Sequence, residues 1–409
     1  MNILYIAYSC APNKGSEEKI GWNIPLESAK TNNVYVITKE EHRQKIEDYF
    51  DYNGNPQSIK FFYVDIPKIY KKIYKGNFYS ARLNIWQKKA FLFAEKLCDE
   101  YKIDVIHQIT PVELRSIGNY GKIPNVKFLC GPIGGGEKIS KGLLFYAKVN
   151  AFFEVVRGIA NKFSLLKYKI NGAFKHCDLI LFANEETRIF MQCKKNKIAT
   201  LDKCITEIGI EHESFDVERV YPKDDKKCVF LVVGRLVYRK GHSFLLDALA
   251  KLPSDFNYVC KIVGNGKEFK KLQKKCIEQG IADKVEFVGK VSFEQINDIY
   301  SMADVLVMPS IRETTGSVLL EATSKAIPVI TINKFGGPVL FDESSSWLYD
   351  GKNKREYINN LAVALEDCIK NPQKRIEKGK KAQIVALNHT WDKKIEKYNC
   401  IYEKIKRDI

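Results

Sequence analysis

The sequence predicts an α/β protein built from two doubly wound domains, each a parallel sheet flanked by helices. The chain has 409 residues, more than the ~250–300 residues at which one hydrophobic core stops growing. Short runs rich in β-branched and aromatic residues alternate with helix-length segments, which is typical of parallel strands joined by crossover helices. This alternation starts again near residue 228. The length and the restart together favour two domains.

The strand-like runs set the domain boundaries. In the first half they are NILYIAY, VYVIT, KFFYVDI, DVIHQI, VKFLC, DLILFAN and CITEIGI, and in the second half CVFLVVG, YVCKIVG, KVEFVG, DVLVMPS and IPVITI. The stretch 207–227 between them is polar, contains Pro222 and lacks periodicity. We therefore predict an amino-terminal domain over 1–207 and a carboxyl-terminal domain over 208–390. The last segment, 391–409, has apolar residues along one side and should form a helix that docks back on the amino-terminal domain.

The net charge of +17 suits nucleic acid, an anionic membrane surface or a phosphorylated substrate, and charge alone does not choose among them. Two regions, 68–89 and 141–169, mix basic and aromatic residues as interfacial helices do. An ordinary solvated helix whose apolar face packs on its own core explains each region equally well. These regions make peripheral contact with an anionic membrane one expectation.

The cysteines indicate a reducing compartment. There are 11 of them, spread along the chain without a C-x-x-C pair, which favours reduced thiols over disulfides or zinc ligands. The apolar start ILYIAYSCAP is too short to span a bilayer and lacks a basic leader, and the chain contains no apolar run of 18 residues. We expect a cytoplasmic protein whose membrane contact, if any, is peripheral.

The segment GRLVYRKG follows a predicted strand and can hold a diphosphate. Gly234 lets the backbone approach a ligand closely, Arg235 offers a two-pronged donor to phosphate oxygens, and Lys240 adds a compact positive charge. Arg239 is interpreted as a bystander. A solvated basic loop is the alternative explanation of this spacing.

The segment RETTGSVLLEA follows the strand DVLVMPS and contains two carboxylates, Glu313 and Glu321. Gly316 and Ser317 are predicted to lie at the start of the next helix, where backbone N–H groups attract phosphate. A capping box is disfavoured because it needs Glu or Gln where Leu320 stands. Ordinary surface charges remain the other explanation of the two glutamates.

Together these two segments resemble the donor site of family 4 retaining glycosyltransferases, which have the GT-B fold with two Rossmann-like domains facing a central cleft. The family pattern G-R-x-x-x-x-K-G is met by GRLVYRKG, and its E-x7-E motif is met by Glu313 and Glu321. The resemblance implies that Arg235 and Lys240 bind the donor diphosphate, Glu313 holds hydroxyls of the sugar, and Glu321 binds the ribose. It also implies that donor-binding backbone amides come from Thr315, Gly316, Ser317 and Val318. Thr315 departs from the aromatic residue or Cys that the family often has there, so the identity of the sugar is left open.

Further donor contacts follow from the same resemblance. Gly264, Lys290 and Val291 would lie near the nucleobase. The turn at Gly264 lacks the third glycine of a dinucleotide fingerprint, so a dinucleotide site is not expected. No D-x-D triplet or cluster of metal ligands occurs in the sequence, so we expect metal-independent chemistry. We expect no cofactor and favour a UDP-sugar over a GDP-sugar as donor.

The first half of the chain resembles the family less closely. Gly15 would lie near the phosphates or the acceptor, but Ser16 replaces the second glycine that family members often have. His107, interpreted as the end of the strand DVIHQITP, would lie close to the anomeric carbon. The segment CGPIGGGEKIS has Glu137 where a P-loop needs Lys, so it is not a P-loop. Its glycines shape the acceptor side of the cleft or simply make a loop, and they are Gly134, Gly135 and Gly136.

The predicted function is that of a retaining hexosyltransferase, with His107, Arg235, Lys240 and Glu313 as its catalytic residues. It would move a sugar from a nucleotide-diphosphate sugar to a hydroxyl of a glycan or lipid-linked saccharide, in bacterial surface-polysaccharide synthesis. One alternative is a sugar-nucleotide epimerase of the same fold, which would need acid and base groups on both faces of the sugar. The other is a non-enzymatic basic binding protein, although the sequence contains no nucleic-acid-binding motif.

Overall fold

A computed structural model describes residues 1–407 except 13, 14, 16, 55, 68, 71–78, 145–148, 192–199, 202 and 216–226. Ser16 and much of the basic aromatic region 68–89 therefore lie outside the described residues. The chain forms two compact units. Unit 1 comprises 1–136, 159–209 and 391–409, and unit 2 comprises 137–158 and 210–390.

The unit boundaries at 209 and 390 lie close to those expected from the sequence, with one exception. The segment 137–158 was predicted to belong to the amino-terminal domain, and it belongs to unit 2 instead. Its apolar side chains explain the difference, because Ile139 and Leu143 are buried in the hydrophobic core of unit 2. A bridge between Gly142 and Asn353 also ties this segment to unit 2.

Unit 1 contains one parallel sheet of six strands in the order β3-β2-β1-β4-β5-β6. The strands are β1 Asn2–Ala7, β2 Asn33–Lys39, β3 Ile59–Val64, β4 Val105–Thr110, β5 Lys127–Ile133 and β6 Leu179–Phe182. The run CITEIGI was predicted as a strand, and this prediction was wrong. Its backbone crosses the end of β6, where the Ile205 N–H donates to the Phe182 carbonyl over 2.9 Å, and it does not continue along the sheet.

Helices cover both faces of the sheet in unit 1. They are α1 Glu17–Ser28, α2 Arg43–Asn53, α3 Tyr79–Tyr101, the part of α5 (Val149–Asn171) beyond residue 158, α6 Glu185–Met191 and α14 Trp391–Arg407. The last of these, α14, packs its apolar side into the core of unit 1, where Trp391, Ile395 and Tyr398 are buried in one cluster with Tyr5 of β1. The apolar periodicity of the last segment is thus satisfied within unit 1.

Unit 2 has the same sheet topology. Its strands are β7 Cys228–Val233, β8 Tyr258–Val263, β9 Val285–Gly289, β10 Val305–Met308, β11 Val329–Ile332 and β12 Ser346–Tyr349, in the order β12-β11-β10-β7-β8-β9. Strand β12 was not predicted from the sequence, because it is only four residues long and includes Ser346 and Trp347 instead of a β-branched run.

The helices of unit 2 connect these strands or follow them. They are α4 Lys141–Leu144, the first part of α5, α7 His242–Leu249, α8 Phe269–Glu278, α9 Phe293–Ser301, α10 Val318–Ser324, α11 Gly337–Leu340, α12 Lys354–Lys370 and α13 Pro372–Leu387. None of the helices in the described ranges is long and apolar enough to cross a bilayer.

The shared topology places a candidate binding position in each unit. Counted within its own unit, each sheet has the strand order 3-2-1-4-5-6, so the direction of winding reverses between the first and fourth strands. In open α/β sheets, ligands bind outside the carboxyl ends of the strands at this reversal. In unit 2 the reversal lies between β7 and β10, and these are the strands that precede GRLVYRKG and RETTGSVLLEA.

Candidate active site

The loop after β7 contacts the end of β10 through a glycine. Gly241 has a positive φ of 72°, and a Cβ atom there would lie 1.7 Å from the Pro309 carbonyl oxygen. No side chain fits into that space, so a residue other than glycine would push the two loops apart. The same carbonyl accepts a hydrogen bond of 2.6 Å from the Tyr357 hydroxyl. The approach of the two loops is therefore fixed by backbone contact.

Backbone hydrogen bonds and an ion cluster hold the two loops together. The N–H groups of Ile311 and Arg312 donate to the Arg239 carbonyl over 2.9 and 3.3 Å. The Glu313 carboxylate contacts the Lys240 ammonium, and the Arg239 guanidinium lies 3.2 Å from the same carboxylate oxygen. The structure thus joins the two predicted donor motifs through Glu313, although about 70 residues of sequence separate them.

The ion cluster is largely shielded from water. The exposed fractions of the side chains are 13% for Glu313, 14% for Lys240 and 22% for Arg239. Burial alone would raise the pKa of Glu313, but attraction to Lys240 and Arg239 outweighs burial, so the pKa of this carboxyl lies below its ordinary value. Glu313 is therefore an anion held between two cations.

Arg239 was interpreted as a bystander, and this interpretation was wrong. Its side chain also donates to the Arg312 carbonyl over 3.4 Å, so it contacts both the main chain before Glu313 and the Glu313 carboxylate. This role could not be predicted from the sequence, because consecutive residues point in different directions and only the fold shows which of them faces the second loop.

Two further predicted residues flank this cluster. Arg235 has an exposed side chain, and Gly234 has a φ of 154°. A Cβ on Gly234 would lie 3.8 Å from the Lys240 amine, so this amine lies beside the glycine backbone. Arg235 thus lies on the same loop as Arg239 and Lys240, at the carboxyl edge of the sheet.

The side chain of the second glutamate is oriented by a hydrogen bond. Glu321 lies in α10, and its carboxylate accepts a 2.9 Å hydrogen bond from the Tyr300 hydroxyl. Ser317 precedes the helix but makes no capping hydrogen bond with its side chain. The expected lack of a capping box is thus confirmed, since Leu320 occupies the third helical position.

The turn between the glutamates is tightly packed. Gly316 has a φ of 98°, and a Cβ there would lie 2.9 Å from the Met308 sulfur. The Thr315 side chain is fully buried, and a Cβ on Gly336 would lie 2.4 Å from the Thr315 Cα. The backbone of this turn is therefore fixed by its neighbours, and the donor contacts expected of Val318 and this turn stay predictions.

The positions expected near the nucleobase follow the neighbouring strands β8 and β9. The Gly234 N–H donates to the Val263 carbonyl, and the Gly264 N–H donates to the Gly289 carbonyl. A Cβ on Gly264 would lie 1.9 Å from the Gly234 carbonyl oxygen, which explains the glycine there. Lys290 is exposed and Val291 is half-buried at the end of β9. All these positions lie at the same carboxyl edge of the sheet.

Three buried polar atoms around the two loops have no hydrogen-bond partner among the residues that the structure describes. They are Ser310 Oγ, Arg312 Nε and His242 Nδ1. Buried polar atoms are normally paired, and unpaired ones concentrate where a ligand or water completes the site. These atoms support a polar ligand at the ends of β7 and β10.

A second cluster that the sequence analysis missed borders the same loops. Glu154 of α5 contacts the Tyr238 hydroxyl, and its carboxylate lies 3.0 Å from Arg312 and 3.2 Å from Arg157. Tyr238 and Arg312 belong to the two loops of the site. Because Glu154 lies in a segment that was predicted for the other domain, no motif could have connected it with this site.

In unit 1, His107 is not at a strand end. It is the third of six residues in β4, fully buried, so its interpretation as the end of the strand was wrong. The Nε2 atom lies 2.7 Å from the Gly131 carbonyl, which can only accept, and Nδ1 lies 2.6 Å from the Tyr402 hydroxyl. Burial lowers the pKa of His107 to about 3. A neutral ring with both nitrogens hydrogen-bonded favours a structural role, and its catalytic role has no support in this geometry.

The glycine-rich segments of unit 1 differ in how closely they pack. A Cβ on Gly15 would meet nothing within 4 Å, whereas one on Gly136 would lie 2.6 Å from the Thr187 Cα. The Gly134 carbonyl accepts from the Leu114 N–H over 2.9 Å, and the Gly135 carbonyl accepts from Asn161 over 2.9 Å. The segment 134–136 is thus a packed loop of unit 1, and its acceptor role stays a prediction.

Neither disulfides nor a metal centre is found in the described structure. The described cysteines are all free thiols, and Cys193 lies outside the described residues. Among the described side chains, no group of three or more His, Cys, Asp or Glu is placed to hold a metal ion. Independence from metals stays a prediction, as does the need for no cofactor.

Comparison with known proteins assigns this site to a family. The family model described as glycosyl transferases group 1 matches residues 214–382. That segment contains both loops, Glu313 and Glu321. The segment 214–382 is therefore similar to the glycosyl transferases group 1.

Curated relatives of this group 1 segment carry glycosyltransferase names. An uncharacterized glycosyltransferase, MJ1607 of Methanocaldococcus jannaschii, is 35% identical over 31% of this chain and 33% of its own length. A D-inositol 3-phosphate glycosyltransferase of Corynebacterium jeikeium is 31% identical over 42% of each chain. A GDP-mannose-dependent mannosyltransferase of Mycolicibacterium smegmatis is 28% identical over 39% of this chain and 44% of its own length. The match spans a third to less than half of these relatives.

The solved structures that are similar to this protein cover nearly all of the chain. Sucrose-phosphate synthase from Thermosynechococcus elongatus has a TM-score of 0.66 at 17% identity over 100% of both chains. Anabaena Alr3699/HepE in complex with UDP has a TM-score of 0.62 at 16% identity over 98% of this chain and 100% of its own. At such identities the likeness shows the fold alone. The predicted α/β fold of the GT-B class is confirmed.

Proposed function

We propose that this protein transfers a sugar from a nucleotide-diphosphate sugar to a hydroxyl group of a glycan or a lipid-linked saccharide. The observation that carries the proposal is the placement of Glu313 between Lys240 and Arg239, at the point in unit 2 where the winding of the sheet reverses. This is where open α/β sheets bind nucleotides. The group 1 family match over the same residues supports it.

The charges of the site suit the breakage of a sugar–diphosphate bond. As the bond between the anomeric carbon and the diphosphate oxygen breaks, negative charge grows on the leaving diphosphate. Lys240 and the exposed Arg235 lie on one loop and would stabilise that charge without a divalent ion. In the structure Lys240 pairs with Glu313, so the diphosphate would have to share this ammonium with the carboxylate.

The two glutamates would have separate tasks. Glu313 lies next to Lys240, so a sugar attached to the bound diphosphate would place its hydroxyls within reach of this carboxylate. Glu321 is oriented by Tyr300 and would accept hydrogen bonds from the vicinal hydroxyls of the ribose. The carboxylates thus bind hydroxyl groups at the two ends of the donor.

The finer features of the reaction are part of the proposal. We propose retention of the anomeric configuration, and a UDP-sugar as donor. The UDP complex of the structurally similar Anabaena protein supports UDP, whereas a relative named GDP-mannose-dependent makes GDP the obvious competitor. A lipopolysaccharide core glycosyltransferase of Rhizobium meliloti, 31% identical over 31% of this chain, supports a role in surface-polysaccharide synthesis.

A thermal-shift panel of UDP-, GDP- and ADP-sugars tests donor binding. A ligand that binds only the native state raises the unfolding temperature, and a concentration of 100 times Kd adds about 2.7 kcal/mol to the free energy of unfolding. We expect a shift with UDP-sugars that is lost in Lys240→Ala. Absence of a shift with every nucleotide sugar would contradict the proposal.

Product analysis tests transfer itself. The donor that gives the shift is incubated with saccharide acceptors, and the anomeric proton of the product is assigned by NMR. A product with the configuration of the donor supports retention. An inverted product would overturn the retaining mechanism while leaving the donor site intact, and an epimerised donor without transfer would replace the transferase with an epimerase.

A further inference from the structure

Helix α5, Val149–Asn171, has an unusual distribution of polarity. Six apolar side chains, spaced alternately four and three residues apart, form one stripe on the helix, and the structure leaves them exposed. They are Phe152 at 67%, Val156 at 45%, Ile159 at 50%, Phe163 at 68%, Leu166 at 53% and Ile170 at 78%. A helix on a protein surface normally turns such a stripe toward its own core. The ordinary explanation, an apolar face packed on the core, therefore does not account for this stripe, although Leu143 and Tyr168 of the region 141–169 are buried.

Polar contacts on the other side of α5 fix this orientation. Glu154, Asn161 and Tyr168 recur every seven residues and are 9%, 3% and 1% exposed. Within unit 2, Glu154 pairs with Arg312. Within unit 1, Asn161 donates to the Gly135 carbonyl over 2.9 Å, and the Tyr168 hydroxyl accepts from the Ile117 N–H over 3.1 Å. Turning the stripe inward would break all of these bonds.

The charges beside the stripe indicate what covers it. Lys162, Lys167 and Lys169 of α5 are exposed. The one acidic residue of the helix, Glu154, is buried on the opposite side. A surface that is apolar along one line and positively charged beside it matches an anionic lipid layer, which offers acyl chains beneath negative headgroups.

We propose that the exposed stripe of α5 docks on an anionic lipid surface, with its phenylalanines below the headgroups and its lysines among them. A second copy of the chain is a poorer occupant, because face-to-face pairing of this helix would bring the same lysines together. Docking does not depend on the proposed transferase activity, so the two ideas can fail separately.

The opposite side of the helix connects the docked surface to the candidate site. Glu154 contacts Tyr238 and Arg312, which belong to the two loops of unit 2 that hold Glu313. Within unit 2, the part of α5 that contains Phe152 and Val156 of the stripe is therefore held to these two loops by one hydrogen bond and one ion pair. This connection rests on the proposed function, and it fits an acceptor that is itself carried on a lipid.

Flotation of the full-length protein with vesicles tests the docking. One set contains phosphatidylcholine alone and the other phosphatidylcholine with phosphatidylglycerol, at low and at moderate salt. We expect binding to the anionic vesicles that weakens as salt rises. The double variant Phe163→Glu with Leu166→Glu should bind at least about a hundredfold more weakly, since full burial of each side chain contributes about tenfold or more.

A matched control separates the stripe from a general change in charge. Tyr52 and Ile189 are 89% and 65% exposed and lie on other helices of unit 1, so Tyr52→Glu with Ile189→Glu adds the same two negative charges elsewhere. This control should float nearly as well as the wild type.

The proposal is overturned if the wild type does not bind anionic vesicles, or if both double variants bind equally. Sedimentation showing a wild-type dimer that the stripe variant dissolves would also overturn it, because a second copy would then cover the face. Lys240→Ala should float normally, and the stripe variant should keep its thermal shift with donor.

Discussion

The two units share one sheet topology but build different chemistry at the same topological position. In unit 2 the ends of β7 and β10 meet through Gly241, and the charged groups there are Lys240, Arg239 and Glu313. In unit 1 the ends of β1 and β4 meet through Ser9 and Thr110, whose hydroxyl lies 3.0 Å from the Ser9 N–H. Glu17 lies at that junction, with Glu113, Glu18 and Lys39 near enough to affect its pKa. The topology thus decides where a site lies, and the side chains decide what it can bind.

The two units also differ in the direction in which they shift the pKa of a buried glutamate. Glu17, the first residue of α1, accepts a 2.9 Å hydrogen bond from the Val112 N–H just after β4. Burial, and to a lesser degree the charge of Glu113, raises the pKa of Glu17 to about 7. Glu313 is also largely buried, yet its pKa is lowered because two cations contact it. At this position unit 2 thus holds a carboxylate as an anion between two cations, whereas unit 1 has a carboxyl whose charge changes near neutral pH.

Lys240→Ala should have the largest effect, because it removes one of the charged groups that distinguish unit 2 from unit 1. Without this ammonium, the leaving diphosphate loses a charge partner, and losses of about 10²–10³ in rate are usual for such groups. We expect kcat/KM for transfer to fall by this factor with the free energy of unfolding little changed. Lys271→Ala is the matched control, because Lys271 of α8 is 65% exposed and pairs with Glu268, the residue before that helix. Equal activity of both variants would show that Lys240 is not part of the active site.

His107→Phe should show that the histidine of unit 1 is structural. The substitution removes the hydrogen bond from His107 to the Gly131 carbonyl, and leaving such a buried group unsatisfied costs about 1–3 kcal/mol. The Tyr402 hydroxyl loses one partner but keeps the Tyr5 hydroxyl, which lies 3.2 Å away. We expect lower stability in urea denaturation, but a kcat of the folded protein within about threefold of wild type. A fall in kcat of a hundredfold or more in the folded variant would restore the catalytic role.

Arg239→Ala tests whether this residue positions Glu313. Removal of one of the two cations should raise the pKa of Glu313 toward its ordinary value and move the acidic limb of the kcat/KM profile to higher pH. We expect a loss in kcat/KM of about tenfold, the equivalent of 1.4 kcal/mol. Arg239→Lys keeps the charge and should keep the acidic limb near its wild-type position. An unchanged pH profile in the alanine variant would make Arg239 merely structural.

Glu17→Gln should change how the stability of the protein depends on pH, because it removes the carboxyl of unit 1 that has the raised pKa. The folded protein holds the Glu17 proton up to about pH 7, whereas an unfolded chain releases it near pH 4.3. The folded state therefore binds more protons in this window, and wild-type stability falls as pH rises through it. Glutamine still accepts from Val112 but does not titrate. Urea denaturation should be measured from pH 4 to 8. The free energy of unfolding of the variant should rise relative to that of the wild type, by on the order of 1 kcal/mol per pH unit. Parallel curves would contradict the raised pKa.

Several parts of the fold and the site were determined by local sequence. The strand and helix alternation predicted two parallel sheets because each element carries its own periodicity. Gly234, Lys240, Glu313 and Glu321 were identified because their spacing relative to a preceding strand is a property of a short stretch of chain. The absence of a capping box at Ser317 needed only the identity of Leu320.

What only the tertiary structure decided depends on residues that are distant in sequence. The pairing of Arg239 with Glu313 and the burial of His107 against Tyr402 require elements to pack before the contact exists. The exposure of the apolar stripe on α5 could not be predicted from the sequence either. Periodicity shows that a helix has an apolar face, but it does not show which way that face points. Here the polar anchors on its other side, beginning with Glu154 and Arg312, turned the apolar face to the outside.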